Sequence, residues 1–195
     1  MSEEVKTTPT PKKVHVIEQK SILHESRLLR AYSGIDEARI ALCKTLFFDA
    51  DGEYTNIVST DGRALCKVRV KTELVSGITG NWKAQEFGGN KLLLIECERE
   101  YPNYKLILPD MTKYHKIYND KLTSIIPSFV GVNGVKMDYK LIIPLEKYLS
   151  VISFGDVDKR PYLEIWGSNE NPDITPFLIK TENGKVEVLI SPSRY

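Results

Sequence analysis

The sequence lacks any apolar run long enough to cross a membrane. Its longest apolar stretches, such as Leu92 to Ile95, fall far short of the roughly 20 residues that a spanning helix needs. The N-terminus has no apolar segment of the signal-peptide type, so we expect an intracellular, cytoplasmic protein without membrane contact. Only three cysteines occur, Cys43, Cys66 and Cys97, and none has CxxC spacing. This excludes a disulfide framework and a zinc site, and predicts small buried hydrophobes.

Signals of catalysis are equally scarce. The three histidines, His15, His24 and His115, are scattered, and no phosphate-binding loop, dinucleotide fingerprint or nucleophile elbow occurs. Residues 49–53 partly match a calcium loop, but their glycine stands at the wrong position and the closing glutamate is missing, which favours a hairpin. We therefore predict a protein that is not an enzyme and that needs no cofactor or metal.

An excess of one charge sign is also missing, since the formal net charge is +1. A protein that coats DNA tightly usually carries a strong basic excess, whereas one that encircles DNA needs only a local positive strip. With 42% hydrophobic and 27% charged residues, the chain should fold around a real core.

Residues 1–13 are polar and predict a disordered tail, and residues 14–195 predict a single domain with an irregular middle at about 71–138. Periodicity predicts helices over Lys20–Ser33 and Leu145–Ser153, with Pro144 in the first turn of the second. Met111–Ile126 could hold a further helix, and the glycine-rich stretch Ser76–Asn90 suggests a loop in which Trp82 could anchor a partner.

Alternating apolar patterns and turn signals predict the strands. Glycine turns at Asp51-Gly52, Asp61-Gly62 and Asn183-Gly184 should join hairpins. The predicted strands are Val14–Glu18, Leu42–Phe48, Tyr54–Ser59, Ala64–Val70, Lys91–Glu98, Lys140–Ile143, Tyr162–Trp166 with Trp166 in the core, Pro176–Thr181 and Lys185–Ile190. Strand, helix and meander occur twice, which predicts an α+β fold with two similar halves.

Four stretches carry a resemblance to a known family. Glu37 to Phe48 resembles a strand that follows the first helix of that family, and Ser59 to Leu65 is similar to its ATDGHRL turn. Tyr101 to Pro109 is similar to its FPDYxxVLP segment, although that segment stands elsewhere in the family's order. Ile142-Ile143-Pro144 opens the second helix in the same way, and Ser191 to Tyr195 resembles the MPMRL terminus.

The family is the bacterial DNA polymerase sliding clamp, the β subunit. The chain resembles one clamp repeat where that subunit has three, with Arg63 in place of its histidine and Ala64 in place of its arginine. A short, divergent relative is expected, as a phage or mobile element could encode.

The resemblance implies two helices on the inner rim of a ring and sheets outside, with duplex DNA held weakly and without base readout. The cations of the inner helices would be Lys20, Arg27, Arg30 and Lys147, unless they are simply a solvated helix face.

The resemblance also implies an outer pocket that grips short linear motifs of DNA polymerases or clamp loaders. Its residues would be Thr60, Gly62, Arg63, Leu65, Pro144, Leu149, Leu189 and Ser191. The plain alternative for the Thr60 segment is a β-turn capped by Asp61.

Two functions follow from the resemblance. The first is a processivity or scaffold factor that forms a homo-oligomeric ring, of about six copies because known clamp rings hold six such domains. The second is a non-ring binding module that keeps the fold and competes for replication partners.

Overall fold

The computed structural model describes residues 12–18, 22–34, 44–87, 91–121, 138–168, 170 and 175–192. Within these residues, the structure contains two α-helices, α1 (Leu23–Tyr32) and α2 (Ile143–Ile152), and ten strands. The strands are β1 (Val14–Glu18), β2 (Thr45–Asp51), β3 (Tyr54–Thr60), β4 (Ala64–Lys71), β5 (Gly80–Phe87), β6 (Lys91–Glu96), β7 (Tyr114–Lys121), β8 (Tyr162–Ser168), β9 (Phe177–Thr181) and β10 (Val186–Ile190).

All ten strands join one antiparallel sheet in the order β1-β6-β5-β2-β3-β4-β10-β9-β8-β7. The halves β1-α1-β2-β3-β4 and β7-α2-β8-β9-β10 share one topology and meet where β4 pairs with β10. In the first half the β5–β6 hairpin stands between β1 and β2, whereas β7 pairs directly with β8. The predicted α+β fold with two similar halves is confirmed.

Both helices lie on the same face of the sheet and contact each other. Strand alternation explains the core between them: in β4, Cys66, Val68 and Val70 point to the helices, and Leu65 points to the opposite, outer face. The outer face carries a second apolar cluster, formed by Val58, Leu65, Tyr104, Leu178 and Leu189.

Three sequence predictions of elements are wrong. Ser76–Asn90 is not all loop, because β5 begins at Gly80, where Trp82 and Ala84 alternate into the core between the glycines; residues 88–90 lie outside the described residues. Trp82 is 3% exposed and donates its indole N–H to the Thr79 carbonyl at 2.8 Å, so it is no partner anchor.

The Met111–Ile126 stretch forms no helix where it is described. Asp110 caps a short 3-10 helix at Met111–Lys113, and the chain continues as β7. A register shift between Lys116 and Tyr118 interrupts the strand alternation of β7, which hides its pattern in the sequence. The predicted strand Lys140–Ile143 is likewise a 3-10 turn that leads into α2.

The helix and hairpin predictions agree better. α1 starts at Leu23, and residues 19–21 lie outside the described residues, as do 1–11 of the predicted tail and Cys43. Pro144 stands in the first turn of α2 as predicted. The hairpins at Asp61-Gly62 and Asn183-Gly184 form as predicted. The turn predicted at Asp51-Gly52 lies one residue later, because Asp51 still pairs with Tyr54.

Candidate functional site

The outer face of the sheet holds a pocket of about 180 Å³ beside the β3–β4 turn. Six of the predicted pocket residues line it: Thr60, Gly62, Arg63, Leu65, Leu189 and Ser191. They come together because β4 stands between β3 and β10 at the centre of the sheet, which pairs Thr60 with Leu65 and Leu65 with Leu189. Neighbouring strands thus place distant segments side by side on one face.

The β3–β4 turn is held rigidly by its own side chains. The Asp61 carboxylate accepts hydrogen bonds from the amides of Arg63 and Ala64, each at 2.8 Å. The Thr60 hydroxyl donates to the Ala64 carbonyl at 2.6 Å and accepts from the Gly62 amide at 3.0 Å. Gly62 has a φ of 86°, a left-handed conformation that favours glycine. The capped β-turn is therefore present, and it also forms one wall of the pocket.

The C-terminal strand closes the other side of the pocket. The Ser191 amide donates to the Arg63 carbonyl at 3.0 Å, which ties the end of β10 to the turn. Leu65 and Leu189 are 2% and 4% exposed and form an apolar floor, whereas Arg63 and Ser191 are exposed at the edge. The site thus offers a small apolar depression with one cation at its edge.

Two predicted pocket residues lie elsewhere. Pro144 lines a groove between α1 and α2 on the helix face, and Leu149 is fully buried in the helix-side core. The sheet separates both from the Thr60 turn, because α2 packs on the opposite face. The prediction that Pro144 and Leu149 line the outer pocket is therefore wrong.

Three residues that were not assigned to the pocket from the sequence complete the lining: Ala64, Ile107 and Pro176. Ile107 lies in the Tyr101-to-Pro109 segment, which the sequence comparison had singled out without assigning it to the pocket. Residues 101–111, called the strap below, include this segment and cross the outer face of the sheet. The strap places Tyr104 in the apolar outer cluster. Tyr101 stacks on Phe47 of β2 with ring centroids 5.3 Å apart.

Asp49 of β2 fastens the strap. Its carboxylate accepts a hydrogen bond from the Tyr104 hydroxyl at 2.6 Å and pairs with the Lys105 ammonium at 2.8 Å. Partial burial by itself would raise the pKa of Asp49, but the hydrogen bonds from Lys105 and Tyr104 and the Lys105 charge outweigh it and lower that pKa. Burial, together with the Asp49 carboxylate, raises the pKa of Tyr104. The pocket wall that carries Ile107 is therefore held by an ionised carboxylate.

The predicted DNA-binding residues divide into three groups. Arg27 of α1 and Lys147 of α2 are exposed on opposite sides of the groove between the helices. Arg30 of α1 is half-buried, and Lys20 lies outside the described residues. Among the residues that the structure describes, no carboxylate forms an ion pair with Arg27 or Lys147.

The structure shows no sign of a metal centre in the described ranges: no group of three or more His, Cys, Asp or Glu side chains is placed to hold an ion. Cys66 is fully buried and burial raises its pKa, as suits a core thiol. No helix within the described segments is long and apolar enough to span a membrane.

The topology, the helix pair on one face and the pocket on the other define a protein with the DNA sliding-clamp fold. No protein-family model matches the sequence, and no curated protein matches it either. Solved structures of sliding clamps match its fold at 10–16% sequence identity, which shows the fold alone.

A DNA polymerase III β subunit from Eubacterium rectale is 10% identical with a TM-score of 0.58, covering 98% of this chain and 68% of its own. The sliding clamp of Bartonella birtlesii, solved bound to griselimycin, is 13% identical with a TM-score of 0.58, over 97% and 68%. The Bacillus subtilis clamp is 12% identical with a TM-score of 0.56, over 98% and 67%. The predicted resemblance is thus confirmed as a likeness of fold, and the phage origin stays a prediction.

Proposed function

We propose that the chain is a clamp-like scaffold that performs no chemistry, holds duplex DNA weakly and docks replication proteins through the outer pocket. The partners are DNA polymerase or clamp-loader types of protein that carry short linear motifs. The observation that carries this proposal is the outer pocket on a sliding-clamp fold. Four separate segments meet there: the β3–β4 turn, the strap, Pro176 before β9 and the end of β10.

The chemistry of the pocket favours an apolar side chain of an extended peptide as its occupant. Leu65 and Leu189 provide the floor and Ile107, 54% exposed, provides an apolar lip. Burial of apolar area contributes about 25 cal/mol per Å² before the cost of ordering the peptide is subtracted. Arg63 at the edge favours a motif with a carboxylate beside its apolar anchor.

The helix face supports a weak, sequence-independent contact with DNA. Arg27 and Lys147 project from different helices, and their exposed charges can meet phosphates without displacing any described carboxylate. Phosphate contacts carry no base information, so the protein could move along the duplex. Two or three such cations per chain suit a multi-chain assembly better than a single copy.

The two edges of the sheet support assembly into a ring. β1 and β7 are the edge strands, and Val14 and Val16 of β1 are 56% and 53% exposed. Exposed apolar edge strands invite pairing with another chain. Pairing of β1 with β7 of the next copy would be heterologous and would close a ring if the rotation allows it.

Peptide binding tests the pocket. Leu65 is buried, so its replacement by a charge would disturb the fold; Ile107→Glu and Arg63→Glu change exposed positions instead. We expect a fluorescent clamp-binding peptide from a bacterial polymerase to bind the unmodified chain and to lose at least about tenfold in affinity with Ile107→Glu. Leu106→Glu is the matched control, because Leu106 is 81% exposed and does not line the pocket. Equal losses with both variants would refute the pocket.

Retention on DNA tests the helix face. The double variant Arg27→Glu with Lys147→Glu should bind duplex DNA more weakly, and the dependence of binding on salt should become shallower. Lys71→Glu with Lys83→Glu serves as a control of equal charge change, because both residues are exposed on inner strands, away from the helix face and from both sheet edges. If both double variants bind DNA alike, the helix cations are merely solvated.

The second candidate is a binding module without a ring that competes for the same partners. It is favoured by the architecture of this chain, whose sheet is built from one pair of similar halves, each with a strand, a helix and three further strands. It predicts the same peptide result but a monomer in solution.

A further inference from the structure

A second concave surface lies on the helix face, between α1 and α2. This interhelical groove, with a volume of about 220 Å³, has an apolar floor formed by Leu28 of α1 and by Pro144, Tyr148 and Val151 of α2. Ala31, small and exposed, leaves the groove open on the α1 side. A cavity of this size is below that of a typical small-molecule site but accommodates one or two anchoring side chains.

The rim of the interhelical groove is basic. His24 and Arg27 border it on α1, and Lys147 borders it on α2. The carboxylate of α1, Glu25, is 5% exposed and already bound: Lys185 pairs with it at 2.5 Å and the Tyr148 hydroxyl donates to it at 3.3 Å. Glu146 of α2 precedes Lys147 but does not line the groove. The charge of Glu25 is thus offset by Lys185, and the rim presents cations to solvent.

An exposed aromatic residue follows the C-terminal end of α2, the helix that forms one wall of the groove. Phe154 follows Val151 by three residues, and its side chain is 92% exposed. Its φ is 53°, a left-handed conformation that is strained for a bulky side chain and favours glycine. The Gly155 amide bonds the Ser150 carbonyl at 2.8 Å, which completes a C-terminal cap of the type that favours glycine at the Phe154 position. Neither burial nor backbone preference therefore accounts for a phenylalanine here.

The walls of the groove determine what conformation a partner would need. Both walls are helices whose backbone groups bond within the helix, so the groove offers no strand edge to an extended peptide. A peptide that buries itself there must satisfy its own backbone hydrogen bonds, and a helix does so. Apolar residues at i, i+3, i+4 and i+7 of such a helix would face the floor and Phe154.

We propose that the interhelical groove is a docking site for an acidic amphipathic helix of a partner protein. Its apolar stripe packs on Leu28, Tyr148, Val151 and Phe154, and its flanking carboxylates pair with Arg27 and Lys147. Because these two cations also belong to the proposed DNA-facing surface, the helix and duplex DNA exclude each other. The proposal does not depend on the outer pocket, which lies on the opposite face of the sheet.

Binding of a designed probe tests this proposal. The probe is a lactam-stapled peptide of about four helical turns, with Leu and Phe on one face and Glu on the flanks. One control peptide has the same composition in an order that breaks the apolar stripe, and another has Lys in place of Glu. We expect fluorescence anisotropy to show that the acidic amphipathic peptide binds and that neither control peptide does. Added duplex DNA should displace the bound peptide.

Variants of the full-length protein separate the contacts. Phe154→Gly should weaken binding by about tenfold or more while leaving the melting temperature unchanged or higher, so that the loss cannot be ascribed to unfolding. Lys147→Glu should weaken binding by a similar factor and make it less sensitive to salt. Ile107→Glu in the outer pocket should have no effect, which keeps failure of this proposal distinct from failure of the partner pocket.

Three results would overturn the docking site. These are no binding of the acidic peptide, equal binding of the scrambled or lysine peptide, and an affinity that neither Phe154→Gly nor Lys147→Glu changes.

Discussion

Phe154 shows how a single residue can oppose the local preference of the backbone. Its left-handed φ of 53° and its exposed ring both count against stability, since glycine would fit this position without strain. The general rule is that such strain persists where a function retains it. Phe154 is therefore informative, because the stability of the fold gives no reason for it.

Replacement of Phe154 should raise stability. We expect Phe154→Gly to increase the free energy of unfolding by about 1 kcal/mol in urea denaturation, because it relieves the left-handed strain. Phe154→Ala is the control, since it removes the ring but keeps a Cβ in the strained conformation. A loss of stability with both variants would mean that the ring itself supports the fold.

Asp49 makes stability depend on pH. Its pKa is lowered in the folded protein, so its contribution is fully present above the unfolded value of about 4 and is lost as the pH falls through the lower folded value. Asp49→Asn should therefore reduce stability by about 1–2 kcal/mol at neutral pH, and the difference from the unmodified chain should shrink in acid. Chemical denaturation over a pH series measures this, with Lys105→Met as a control that keeps the Tyr104 bond.

A constant difference between Asp49→Asn and the unmodified chain from pH 7 to pH 3 would contradict this role. It would show that the strap is held by the packing of Tyr101 and Tyr104 and not by the carboxylate.

At the scale of residues, the sequence predicted the turn half of the outer pocket well and its helix half poorly. The turn at Thr60 could be found because it has a local sequence motif. Leu189, at the end of β10, could be found because the resemblance to the clamp family assigned it to the pocket. Ile107 could not be placed, since its position depends on a strap whose path is set by Tyr104 and Asp49, far apart in the chain. Pro144 was misplaced because the resemblance assigned it to the pocket, whereas α2 packs on the opposite face of the sheet, which helical periodicity does not specify.

Among the elements, those with uninterrupted patterns were predictable and those with local irregularities were not. The helices and the hairpins of β3–β4 and β9–β10 follow from periodicity and glycine turns. β5 is flanked by glycines and β7 contains a bulge, and each feature disrupts the period-two pattern that would reveal a strand. Tertiary packing of Trp82 and Ile117 decides these segments, and the local sequence does not.

The two tryptophans give a matched test of this account of β5. Trp82 is buried at 3% exposure in the helix-side core, whereas Trp166 of β8 is half-buried on the outer face beside Lys180. Trp82→Ala should lower the free energy of unfolding by about 3–5 kcal/mol, and Trp166→Ala by clearly less. Similar losses in urea denaturation would contradict the placement of Trp82 in the core.

At the scale of the whole molecule, the β5–β6 hairpin distinguishes the two halves. It separates β1 from β2, so that the first half presents its edge strand two strands farther out than the second half does. The two edges of the sheet are consequently unlike, which suits head-to-tail contact between copies better than a symmetric dimer. On the β1 edge, the apolar side chains of Val14 and Val16 are exposed within a single chain.

The measurement that tests the clamp-like account most directly is the mass of the protein in solution, by size-exclusion chromatography with light scattering over a wide concentration range. A ring scaffold predicts a discrete assembly of several chains, about six by the domain count of known rings, and Val16→Lys at the β1 edge should shift it to smaller species. A strict monomer at the highest concentration, with or without Val16→Lys, would contradict the ring.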